Sequence, residues 1–223
     1  MRWPRKLLRD IALLTGALIM LAWPTSLARA QASGSLVDQL VGLDPTPDID
    51  VAALRQLAVD RVKSKADPAP LKRPPIAAQL FKLPQFGFDV VFDPDSSLVR
   101  PASYRTIGRI ADALSDPRLL RYTFLIIGHT DASGRRDANL ILSQRRADSI
   151  REVLVGTFKI SSKRLQAVGL GEEQLQDAAH PTSAINLGAQ IMTVGEILAA
   201  TQPAATGAPP AKKGSAAAQK NRH

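Results

Sequence analysis

The sequence predicts an α/β sandwich in which helices pack on a mixed four-stranded sheet. Three observations carry that prediction. Phe86, Phe88, Val90 and Phe92 alternate with other residues as a half-buried strand requires. The run YTFLIIG, beginning at Tyr122, is continuously apolar and fits a central strand covered on both faces. Amphipathic stretches separate these runs from each other and from two further strand patterns, giving the order strand, helix, strand, helix, strand, strand.

Each element has its own local reason. Pro101 suits the first turn of a helix whose Ile107, Ile110, Ala111 and Leu114 recur at helical spacing, and Ser115-Asp116-Pro117 closes it. The second helix follows the turn GHTDASG and runs to about Phe158. RLQAVGLGEE supplies a third strand with a glycine turn, and AQIMTV a fourth. The predicted strand–helix domain spans residues 85–196.

The flanks differ in composition. Residues 1–30 combine a basic opening, a short apolar run and small residues at Ala28 and Ala30, which is the pattern of a cleavable export signal. Its apolar run is shorter than the roughly 20 residues a spanning helix needs. Residues 31–84 read as a Pro/Ala-rich spacer with one short helix, in which Leu54, Leu57, Ala58 and Val62 form a stripe behind the capping candidates Asp48 and Asp50. A free spacer and a helix packed on the following domain fit this segment equally. Residues 197–223 form a basic Ala/Pro tail with too little apolar bulk to order itself.

Charge and residue inventory narrow the function. The net charge of +9 invites a nucleic-acid reading, but the excess lies at the ends. Leaving out residues 1–30 and 203–223 removes nine basic residues and one acid, and the remainder holds 20 basic against 19 acidic residues. No basic nucleic-acid surface is expected. Without cysteine, disulfides and thiolate catalysis are excluded, and three histidines supply no metal-binding spacing. No cofactor is expected. Asp93 and Asp95 read as turn residues, with no second acidic pair to complete a metal site.

The helix after GHTDASG raises the sharpest question. At about 100° per residue, Asn139, Ser143, Arg146, Ala147, Ile150, Val153 and Leu154 fall on one side, whereas Arg145 points away with Asp148 and Glu152. The inward face is therefore apolar in its last turns and polar in its first. Asp131 stands at the carboxyl edge of the central strand beside that helix start, where open α/β sheets place ligands. A carboxylate, a guanidinium and a helix N-terminus around one crevice complement a zwitterion. A buried Asp131–Arg146 ion pair that only orients the turn fits the same pattern. His129 reads as a structural turn histidine.

The segment from about Phe86 to Val194 resembles the OmpA-like C-terminal domain, a periplasmic peptidoglycan-binding module. GHTDASGRRDANLILSQRRA matches its pattern of G-x-T-D, a glycine, then Asn, then L-S-x-x-R-A, and GLGEE matches its glycine turn. The resemblance implies a βαβαβ-β fold, and a site that holds the diaminopimelate of the stem peptide. It assigns Asp131 to the ammonium and Arg146 to the carboxylate, with Thr130 and Asn139 in support. Asn186 matches the Asn of the family's Asn-Arg-Arg-Val, but Leu187 and Gly188 replace both arginines. The expectation is a soluble periplasmic cell-envelope adaptor that binds peptidoglycan and a further envelope protein, and is not an enzyme, since nucleophile, metal cluster and acid/base carboxylate pair are all missing. The alternative is a degenerate domain of this type serving as a protein-interaction module.

Overall fold

The computed structural model describes residues 34–42, 49–64 and 73–197. The expected export signal, Asp48, most of the ADPAPLKRPP linker and all of the tail beyond Ile197 lie outside the described residues. A helical stretch at 34–40 precedes α1 (Val51–Lys63), β1 (Gln85–Phe88), α2 (Tyr104–Leu114), β2 (Tyr122–His129), α3 (Arg136–Gly156), β3 (Leu165–Gly171) and β4 (Gly188–Glu196). The strand order is β1-β4-β2-β3. β4 runs antiparallel to β1 and β2, and β2 is parallel to β3, so the sheet is mixed with β2 and β4 inside it. This is the expected α/β architecture.

Strand β2 is covered on both faces because its side chains alternate between two apolar clusters. Phe124 and Ile126 join α2 and α3 through Ile107, Ile110, Leu114, Ala147, Ile150 and Leu154. Leu125 and Ile127 join the other face. There, Val51, Leu54 and Ala58 of α1 meet Val168, Leu170, Met192 and Val194, together with Ile76, Leu80 and Leu83. The helix is thus packed on the sheet, capped by Asp50, whose carboxylate accepts from the amides of Ala52 and Ala53. Leu57 is exposed, so the buried stripe is Val51, Leu54 and Ala58. Residues 34–40 add Leu36, Val37 and Leu40 to the α2/α3 side, where Thr193 Oγ1 donates to Leu40 O at 2.6 Å.

The first strand is shorter than its alternation suggests. β1 ends at Phe88, and Phe92 makes only an isolated bridge to Val99. The reason is competition for the backbone. Ser103 Oγ accepts from Val91 N at 2.7 Å and Val91 O accepts from Arg100 N at 2.9 Å, which draws the chain into the following loop. On β4, the ladder with β1 ends at Ala189, whereas the ladder with β2 continues to Gly188, which adopts φ 134°. Helix α3 ends at Gly156, two residues before the expected Phe158.

Helix α3 lies unusually close to the sheet. A Cβ on Gly128 would stand 2.3 Å from Ser143 O, and one on Gly169 would stand 2.1 Å from Gln144 N. Bare glycine backbone on β2 and β3 lets the helix descend onto the strands and sets the depth of the crevice at its N-terminal end.

Candidate functional site

The carboxyl ends of β2 and β3, the start of α3 and the loop before β4 converge at one corner. Thr130 and Asp131 leave β2 there, with Thr130 N donating to Gly171 O at 3.0 Å. Thr130 is buried and its Oγ1 has no partner among the described residues. Asp131 Oδ1 accepts from Ser133 N at 3.2 Å and from Ser133 Oγ at 2.5 Å. The partly exposed carboxylate is therefore oriented through one oxygen, and Oδ2 accepts no hydrogen bond from the described residues.

Arg146 comes from the middle of α3. Its guanidinium lies 4.9 Å from the centroid of the Phe92 ring, and its Nε donates to Ser96 O at 3.1 Å. Burial pushes its pKa below the ordinary arginine value, and the nearby carboxylates of Asp95 and Asp131 act against that. Among the described residues it makes no salt bridge, so the Asp131–Arg146 ion pair is not the arrangement adopted. Arg146 instead lines a crevice of about 170 Å3 with Val90, Phe92, His129, Leu187 and Gly188.

The other polar residues of the inward helical face have internal partners. Asn139 Nδ2 donates to Asp131 O at 3.0 Å and to Glu172 Oε2 at 2.8 Å. Ser143 Oγ donates to Leu140 O at 2.9 Å and accepts from Gly171 N at 2.8 Å, closing the end of β3. Of the polar stripe, only Arg146 faces the crevice, and Asn139 acts on Asp131 through the backbone. Asn186 is likewise committed. Its Oδ1 accepts from Asp177 N at 2.8 Å and its Nδ2 donates to Asp177 O, His180 O and Pro181 O at 3.1, 2.9 and 3.3 Å. Because Pro181 O also accepts from Ala132 N at 2.9 Å, Asn186 braces the Asp131 turn from behind.

His129 is more than a turn residue. It is buried in the crevice wall, its Nε2 lies 3.3 Å from Gln190 Oε1, and its Nδ1 has no partner among the described residues. Burial pushes its pKa down to about 4, so the ring is neutral at pH 7.

Sequence reasoning missed the acidic pair beside this corner. Glu172 and Glu173 are buried and meet Arg73 and Arg136. One signal pointed to them. Arg136 occupies the first position of α3, where the helix dipole disfavours a cation, so a nearby acid was required. No group of three or more His, Cys, Asp or Glu suited to a metal ion occurs among the described residues. Nor is any described helix long and apolar enough to cross a membrane.

Comparison with known proteins places this corner in a family. The OmpA family model matches residues 91–187. Outer membrane porin F of Pseudomonas aeruginosa is 40% identical over 86 residues, which cover 39% of this chain and 24% of the porin. A peptidoglycan-associated lipoprotein of Mesorhizobium japonicum is 35% identical over 100 residues, covering 45% of this chain and 57% of the lipoprotein. The solved peptidoglycan-associated lipoprotein of Burkholderia pseudomallei aligns at 28% identity and TM-score 0.37, covering 56% of this chain and 98% of that one. The chain thus spans a quarter of the porin's length and little more than half of the curated lipoprotein's. The matched segment contains the Asp131 turn, the α3 arginine and the β3 glycines together, and residues 91–187 of this chain form a domain of the OmpA family.

Proposed function

We propose that this protein binds peptidoglycan non-covalently through the diaminopimelate of the stem peptide, as a soluble periplasmic adaptor of the cell envelope and not as an enzyme. The observation that carries the reading is the Arg146 guanidinium: half-buried, without a salt-bridge partner among the described residues, lining a crevice, and near enough to Asp131 for the two charges to act on each other. A half-buried cation of this kind is satisfied by an incoming carboxylate, for which the planar fork is well suited. The free Asp131 Oδ2 receives the ammonium of the same residue, and Thr130 Oγ1 is an uncommitted hydroxyl beside it. The name of the curated lipoprotein relative supports peptidoglycan as the polymer.

Leu187 and Gly188 leave Arg146 as the single cation in the crevice wall. Affinity at one site is accordingly modest, and retention comes from the many identical stem peptides of one sacculus. The export signal at residues 1–30 would deliver the chain to that polymer, and residues outside the crevice would meet a second envelope protein.

Cosedimentation of the full chain with purified sacculi tests the reading. Binding is expected to diaminopimelate-type sacculi and to be much weaker with lysine-type ones, because lysine offers the ammonium without the carboxylate. Folded protein that stays in the supernatant with both would sink the proposal. A second reading, a protein-interaction module, is favoured by Ile185 and Leu187, which are 57% and 41% exposed beside the crevice. Partner capture unaffected by Asp131→Ala and Arg146→Ala supports that alternative.

A further inference from the structure

Two adjacent carboxylates, Glu172 and Glu173, leave β3 with side chains only 4% and 0% exposed. Burying two acids side by side is costly unless each has a cation and further hydrogen bonds. The cations come from different parts of the chain. Arg136 of α3 forks onto Glu173, with Nε at 2.9 Å and Nη2 at 2.7 Å, but stays 4.0 Å from Glu172. Arg73, preceding β1, reaches Glu172 at 3.2 Å and Glu173 at 3.6 Å.

Glu172 divides its two oxygens. Oε1 accepts from Arg73, and Oε2 accepts from Asn139 Nδ2 at 2.8 Å. The other hydrogen of that amide goes to Asp131 O at 3.0 Å. We infer that Arg73 is a positioning residue of the Asp131 site, acting through Glu172 and Asn139 on the turn that carries Asp131. This rests on the reading of the Arg146 crevice as a ligand site.

Without Arg73, the nearest cation to Glu172 is Arg136. Glu172 either rotates towards it, leaving Asn139, or draws Arg136 off the Glu173 fork. In the first case the Asn139 amide loses its acceptor, and in the second that acceptor is no longer held by Arg73; either way one of the ties on the Asp131 turn is loosened. The segment before β1 is bound into the same cluster, since Arg136 Nη2 donates to Arg61 O at 3.5 Å and Arg61 Nη1 donates to Pro74 O at 2.6 Å. Docking of α1 and the geometry of Asp131 are therefore coupled, and a partner that lifted α1 and Arg73 from the sheet would loosen the site.

The experiment uses the full chain and two readouts, the side-chain amide resonances of Asn139 in a 15N-labelled NMR spectrum and the affinity for diaminopimelate-type sacculi. Arg73→Ala is expected to shift the Asn139 amide signals and to weaken binding on the order of tenfold, the loss of about one charge-assisted hydrogen bond. Arg73→Lys, which keeps a cation within reach of Glu172, is expected to restore most of both. Arg118→Ala, which removes a surface pair with Asp38, is expected to change neither. Should Arg73→Ala fail to fold, Glu172→Gln carries the test, with the same two changes expected. Unmoved Asn139 signals with unchanged affinity in the folded variant overturn the inference. If wild type itself does not bind sacculi, the functional reading fails, and the Asn139 resonances alone decide whether Arg73 acts on the turn.

Discussion

The Arg146 guanidinium rests on the face of the Phe92 ring, 4.9 Å from its centroid, although the alternation of the first strand marks Phe92 as a core residue. The ring supports the cation without neutralising it, so the charge stays available to an anion. Replacing Arg146 with Ala is expected to weaken sacculus binding by at least about tenfold, from loss of a charge-assisted contact. Arg146→Lys retains charge but not the fork and should fall between the two. Titrated cosedimentation measures both, and equal affinity of all three proteins would remove Arg146 from the site.

The neutral His129 predicts an acid-sensitive fold. The unfolded chain takes up a proton at this ring near pH 6.5, whereas the folded chain refuses it until about pH 4. Stability therefore falls as pH drops through that window, by roughly 3 kcal/mol in total, and the contribution of this group is constant above it. Urea unfolding at pH 7 and pH 4.5 should show a smaller loss in His129→Gln than in wild type. An identical loss in both would assign the acid sensitivity to other groups.

The depth of α3 on the sheet is set by glycine. Gly169→Ala places a methyl group 2.1 Å from Gln144 N, where only backbone can yield, and is expected to cost at least about 3 kcal/mol. Gly156→Ala near the end of the same helix meets nothing within 4 Å and should be stabilising by about 0.5–1 kcal/mol. Chemical denaturation of the pair separates contact from propensity.

Asn186 is expected to be structural. Asn186→Ala removes the side-chain partner of the Asp177 amide and carbonyl and one of the two donors to each of His180 O and Pro181 O, costing about 1–3 kcal/mol. Hydrogen exchange should quicken at Asp177 N and, through Pro181, at Ala132 N. Protection unchanged at both amides would mean that the loop is held by something else.

Much of the fold was legible because helix and strand periodicity is a local property. Ile107, Ile110, Ala111 and Leu114 are all buried as their spacing requires, and β2 is the central strand that its unbroken apolar run implies. The same counting separates Arg146 from the exposed Arg145. It went wrong where the backbone had a competing partner, as at Val91, whose hydrogen bonds to Ser103 and Arg100 end β1 early.

The site was half legible. Spacing along α3 put Asn139, Ser143 and Arg146 on the inward face, but inward is a direction and not a partner. Asn139 and Ser143 meet groups 33 and 28 positions away, in or after β3, while Arg146 meets a ring and a carbonyl among the described residues. Arg73 and Glu172, 99 positions apart, carry no mutual signal along the chain.

The amino-acid order alone determined the elements, their buried faces and the side on which the acid and the cation would lie, because those follow from the turn angle of a helix and the pleat of a strand. Tertiary packing decided which buried charges are neutralised. Glu172 and Glu173 found guanidiniums from two distant segments, and Arg146 found none among the described residues. A charge in a low-dielectric corner is stabilised only by what the folded chain brings within a few ångströms of it, and that is a property of topology rather than of any local run of residues.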